Sequence, residues 1–275
     1  MTELHISIIS KEIAVKPSQV KAVAALLDEG ATVPFIARYR KEATGSLDEV
    51  AITAIRDRLE QLMELDKRRE AIVKSLKDRG LFTDELKEKI GGAESLTVLE
   101  DIYLPFRPKR RTRATVAKEK GLEPLAAQIF EQGELDIEAE AAAFINAEKG
   151  VASVEEALAG AREIIAEWVS EDQQARERMR ELFAAKGIMR SKVISGKEEE
   201  GIKYKDYYEW EEPVAKAPSH RVLTIRRGES EGFLILRILP AEDEALSLLE
   251  SLFLKGSGPA LEQVKAAVHD SYERL

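Results

Sequence analysis

The chain has 275 residues, room for one large domain or two ordinary ones, and its 44% hydrophobic content supplies a core and argues against wholesale disorder. Charged residues make up 34%, aromatics 6%, and the net charge is −9, a composition of helices with wide solvated faces and not of a uniformly basic nucleic-acid binder. Absence of cysteine excludes a disulfide framework and thiolate metal sites and suits a reducing cytoplasm, the expected location. The first 20 residues lack the basic start and apolar run of a secretory signal, and no apolar run approaches the roughly 18–20 residues that span a bilayer, so no membrane partner is expected.

Residues 1–30 read as short helices. Pro17 suits a first helical turn, Val20, Val23, Ala24 and Leu27 repeat at helical spacing, and Gly30 is a stop. The segment TVPFIARYRKEATG (32–45) breaks the pattern, with Val33, Phe35 and Ile36 set among Arg38, Arg40 and Lys41. Ser46 and Glu49 have the spacing of a capping box. Ile52, Ile55, Leu59, Leu62, Leu65, Ile72 and Leu76 then predict one long amphipathic helix of about eight or nine turns, ended by Gly80. Two short helices are expected over 83–103 around Gly91-Gly92-Ala93, with Ser95 as the second cap, in a helix-turn-helix-like order.

In YLPFRPKRRTRATVAKEKG (103–121), Pro105 and Pro108 forbid a continuous helix, and Arg107, Lys109, Arg110, Arg111 and Arg113 form the most basic stretch of the chain. Residues 122–187 read as several helices separated by turns at Gly133, Gly150 and Gly160, with capping boxes at Ser153–Glu156 and Ser170–Gln173. Beyond Gly187 an exposed loop (196–201) and an aromatic cluster (Tyr204, Tyr207, Tyr208, Trp210) precede a short helix from Ser219 to Arg226, stopped by Gly228. GFLILRIL (232–239) is the clearest strand. A helix over 241–254, a break at GSGP (256–259) and a last helix running to Leu275 complete the chain; that last helix has no stop signal, the pattern expected of a polypeptide cut from a longer one. The expected fold is mainly α: a multi-helix array with one long helix, a helix-turn-helix-like element and a small C-terminal part with one or two short strands. The expected domains are 1–190, helical, and 191–275, mixed.

The basic stretch Arg107, Lys109, Arg110, Arg111 and Arg113 is the candidate nucleic-acid-binding site. Prolines hold it open, each cation can release counterions from a phosphate, and Phe106 could stack on a base. The competing reading pairs these cations with local carboxylates or a protein partner. Arg38, Arg40 and Lys41 could hold an anion, but interhelical ion pairs with Phe35 and Ile36 in the core are the stronger expectation. His220, beside Arg221, Arg226 and Arg227, has no nucleophile and orienting acid around it in sequence, so no catalytic residue is assigned. Glu198–Glu200 and Glu209, Glu211 and Glu212 lack the ligand spacing of a calcium loop; no metal site and no cofactor are expected, and the phosphate-loop, dinucleotide, zinc-protease and hydrolase motifs are missing.

Four segments in order, VPFIARYRKEATGSLDE (33–49), LEDIYLPFRPKRRTRATVAKEKGLEPLA (99–126), GAREIIAEWVSED (160–172) and PSHRVLTIRRGESEGFL (218–234), resemble the Tex family of bacterial transcription accessory proteins over nearly the whole chain. The resemblance implies a helical N-terminal region with a helix-turn-helix-like element. In full-length members a ribonuclease-H-like domain, helix-hairpin-helix elements and an OB-fold RNA-binding domain follow. It implies a role in transcription, while the composition and the missing motifs point to a helical scaffold and not an enzyme. The expected partners are nucleic acid (RNA or DNA), mainly in the full-length protein, and RNA polymerase or other transcription proteins. The alternative is a sequence-tolerant nucleic-acid-binding module in its own right, acting through the basic stretch.

Overall fold

The computed structural model describes residues 2–108 and 110–275. The chain is mainly helical, and it divides at Phe106/Arg107 into two compact units.

The first unit holds α1 (Glu3–Glu12), α2 (Pro17–Asp28), α3 (Val33–Tyr39), α4 (Lys41–Thr44), α5 (Glu49–Asp78), α6 (Asp84–Gly92) and α7 (Leu96–Tyr103). α5 is its spine: 30 residues, about 45 Å at the helical rise. All seven apolar residues of the sequence-predicted stripe, from Ile52 to Leu76, are buried. α1, α2, α3, α6 and α7 pack on it. The helix does not start from a Ser46 capping box. Gly45 and Ser46 both have φ of 64°, which reverses the chain after α4, so Ser46 lies outside the helix. Asp48 is the cap, its Oδ1 accepting from the Ala51 N–H at 2.8 Å. Ser95 caps α7 as expected, accepting from the Val98 N–H.

The second unit holds α8 (Arg113–Glu119), α9 (Glu123–Glu131), α10 (Ile137–Ala142), α11 (Val154–Glu171), α12 (Gln173–Lys186), β1 (Ile188–Val193), β2 (Glu209–Pro213), α13 (Ser219–Ser230), β3 (Leu234–Leu239), α14 (Glu242–Phe253) and α15 (Pro259–Tyr272). Its centre is α11, against which α8, α9, α10, α12 and α15 all pack. Gly160 is no turn but lies inside α11, where an added Cβ would stand 2.3 Å from Leu122 Cδ1. The glycine is there for close approach. Ser170 likewise belongs to α11, its hydroxyl donating to the Glu167 carbonyl, and Asp172 caps α12.

Three strands form one antiparallel sheet in the order β2-β1-β3, where one or two were expected. β1 and β2 escaped sequence reading because neither shows a clean apolar alternation: β1 turns polar Ser191 inward beside Met189, and β2 carries three glutamates. α13 runs through Gly228 to Ser230; Gly228 meets Leu234 of β3, and the turn falls at Gly232, φ 78°. α14 and α15 return to the helical part, adding Ala245, Leu249, Val264 and Val268 to the core that holds α8–α12. The division by contacts is therefore a different cut from the compositional one at 190/191. The last helix ends at Tyr272, short of the expected Leu275.

Candidate nucleic-acid interface

The basic stretch opens the second unit. Arg107 and Pro108 are non-helical, Lys109 lies outside the described residues, and the chain stays irregular to Thr112, which caps α8 by accepting from the Thr115 N–H at 3.0 Å. Thr112 is fastened from below. Its hydroxyl donates to Glu167 Oε1 at 3.2 Å, while Lys118 Nζ binds Glu167 Oε2 at 3.1 Å. Glu167 is a buried carboxylate on α11, compensated by these two donors. It anchors the site and was missed in the sequence, where its one signal is a lone acid inside the apolar run IIAEWV (164–169).

Arg107, Arg110, Arg111 and Arg113 are all exposed. Arg111, 70% exposed, reaches Glu119 at 2.8 Å; Arg113, 81% exposed, reaches Glu163 at 3.3 Å, a carboxylate that Arg274 also holds at 2.7 Å. Surface pairs of this kind are worth about 0–1 kcal/mol, so a phosphate can replace the carboxylate at little cost. Among the described residues, Arg107 and Arg110 have no carboxylate within ion-pair distance. Phe106 is half-buried. It belongs to the first unit, where its ring packs against the α5 core and its carbonyl accepts from Arg79 Nη2.

The other cationic groups fall out differently. Ile36 is buried as expected, but Phe35 is exposed, because the short α3 turns only Val33, Ile36 and Ala37 inward. Arg38 lies 3.9 Å from Glu49, and the Arg40 guanidinium lies 5.7 Å from the centre of the Phe35 ring in place of an interhelical carboxylate. On α13, Arg221 binds Glu212 at 2.6 Å, Arg226 binds Glu229 at 2.6 Å and Arg227 binds Glu231 at 2.9 Å. Hydrogen bonds from Lys203 and Arg227 hold the Glu231 carboxyl down to about 2. His220 is exposed near the start of α13. Of the acidic clusters, Glu211 pairs with Arg190 and Glu212 with Arg221. Among the described residues, no three histidine or carboxylate side chains gather as a metal site, and no helix is long and apolar enough to cross a membrane.

These features define a helix-rich protein of two compact units, with an exposed arginine segment opening the second. Residues 3–77 match the model of the Tex-like protein N-terminal domain, and residues 132–266 match the Tex central region-like model. Protein YhgF of Escherichia coli (strain K12) is 46% identical over 238 residues, 86% of this chain and 31% of its own length. Transcriptional accessory protein Tex of Neisseria gonorrhoeae is 41% identical over 237 residues, again 86% of this chain and 31% of its own length. More distantly, the human S1 RNA-binding domain-containing protein 1 is 24% identical over 242 residues, 85% of this chain and 24% of its own length. The chain belongs to the Tex-like family, as an N-terminal portion, and spans about a third of the length of its bacterial relatives.

Proposed function

We propose that this chain is the helical N-terminal scaffold of a cytoplasmic transcription accessory protein, and that it grips nucleic acid without sequence preference through Arg107, Arg110, Arg111 and Arg113, with Lys109 included on sequence alone. The observation that carries the reading is the exposure of Arg107 and Arg110 with no carboxylate partner among the described residues, in a stretch of five cations and no acid between 107 and 113. Backbone phosphates are the ligands that such a segment accepts, since each contact releases counterions and reads no base. The link to transcription rests on the name of the Neisseria relative, and the link to RNA on that of the human one. Transcription proteins, RNA polymerase among them, are the partners assigned to the helical faces. The role is binding and positioning and not bond-making.

The helix-turn-helix-like pair contributes through its place in the scaffold. α7 carries Glu100 and Asp101 and no cation, and Glu100 is engaged by Arg68, so phosphate contact is assigned to the arginine segment.

Titration of the chain with labelled single- and double-stranded RNA and DNA at several salt concentrations tests this. Binding should weaken as salt rises, and Arg107→Ala with Arg110→Ala should flatten the slope of log K against log salt by about 1.5–2, nearly one per lost phosphate contact. Absence of binding at low salt, or a slope untouched by the two substitutions, overturns the reading.

A further inference from the structure

We propose that α3 carries a separate site for single-stranded nucleic acid, in which Phe35 and Tyr39 stack on bases while Arg38, Arg40 and Lys41 hold the flanking phosphates. The inference takes its ligand class from the reading above, but it rests on another unit and other residues.

The seven residues of α3 have one inward face, Val33, Ile36 and Ala37, directed at the core around α5. Phe35 and Tyr39 are four apart and so share a face outside it. Phe35 is 41% exposed and Tyr39 72%, with ring centres 5.4 Å apart and planes tilted by 43°. Leaving two neighbouring aromatic rings in water forgoes burial that the adjacent core could have offered.

The surrounding charge says what covers them. Arg40 stands at the break between α3 and α4, outside helical geometry (φ −124°, ψ 30°), with its guanidinium 5.7 Å from the Phe35 ring centre. Arg38 is 70% exposed and meets its one acid, Glu49, only at 3.9 Å. Lys41 is exposed and, among the described residues, neither it nor Arg40 has a carboxylate within ion-pair distance. Ring faces that accept any base, set beside two cations without an acid partner and a third only loosely paired, form the platform that unpaired strands use. In a duplex the base faces are occupied by their neighbours, so only the cations could engage it. An apolar protein surface would leave Arg40 and Lys41 facing no anion.

The test uses the 275-residue chain, a fluorescein-labelled 12-nucleotide oligouridylate and an RNA duplex of the same length. Phe35→Ala with Tyr39→Ala should weaken oligouridylate binding about tenfold or more, the scale of a lost base stack, while duplex affinity and salt slope stay as in the parent. Phe35→Leu with Tyr39→Leu keeps the apolar area but not the ring faces, and should lose as much. Arg40→Ala with Lys41→Ala should flatten the salt slope by about 1–2. Because all four side chains are exposed, the helical circular dichroism of each variant should match the parent. Full oligouridylate affinity in either aromatic variant overturns the proposal, and so does retention by the leucine pair alone, which would mean apolar contact without stacking. If the aromatic variants bind normally while Arg107→Ala with Arg110→Ala binds poorly, this site fails and the arginine segment stands. The opposite pattern leaves α3 as the binder. No binding by the parent chain removes both.

Discussion

In the first unit α5 presents one buried apolar stripe along 30 residues and leaves most of the rest of its surface to solvent. In the second, α11 is also packed by five helices, but it is shorter and more enclosed: nine of its 18 residues are buried, against seven of 30 in α5. The stripe can be built from large side chains, Ile and Leu throughout, because neighbours approach from one side. The enclosed helix needs small residues where axes come close, and α11 supplies Ala157, Gly160, Ala161 and Ala166 among its inward positions. The difference bears on function. A helix enclosed in this way has few faces to offer a ligand, and the second unit's candidate site falls in the irregular segment before α8.

Enlarging Gly160 is the sharpest way to break this contrast. A glycine inside an exposed helix destabilises it by about 0.5–1 kcal/mol relative to alanine, so replacement would help if the position faced water. Against Leu122, Gly160→Val should instead lower unfolding free energy by about 1–3 kcal/mol in urea denaturation. A gain in stability would show that α11 is not enclosed on that side.

A smaller effect is expected at the start of α5. Asp48→Ala removes the cap and should cost about 1 kcal/mol, whereas Ser46→Ala, outside the helix, should cost clearly less. Equal losses in the same denaturation assay would restore the capping box at Ser46.

The smallest is electrostatic and confined to acid. The Glu231 carboxyl is held at about 2, against its usual 4.5, by Lys203 and Arg227. The stabilisation is thus present above about 4.5 and fades as pH falls from there toward about 2. The difference in thermal midpoint between the parent and Glu231→Gln should shrink over that window and be smaller in high salt, because these are surface groups. A difference that stays constant from pH 6 to pH 2 would mean that Glu231 gains nothing from its cations.

The periodic parts of the fold were legible along the chain. The α5 stripe, the caps at Ser95 and Ser153, Pro17 at the start of α2 and the strand at 234–239 all follow from local spacing and chemistry. Glycines were read least well. Gly160 and Gly228 look like helix stops, yet they lie within helices and permit close contact with Leu122 and Leu234, residues 38 and 6 positions away. The arginine segment could be located from its composition, but not which arginines pair. Arg113 finds Glu163 only because α8 packs on α11, and Phe106 turns part of its ring toward the core around α5.

The amino-acid order alone determined the helical class, the length of the α5 spine, the open arginine stretch and the family resemblance, because each depends on neighbours within a turn or two or on short contiguous motifs. Tertiary structure decided which carboxylates claim which cations, which aromatics stay in water and where α11 is enclosed. Those outcomes depend on residues brought together from distant positions, and spacing along a chain carries no record of the distance between them in space.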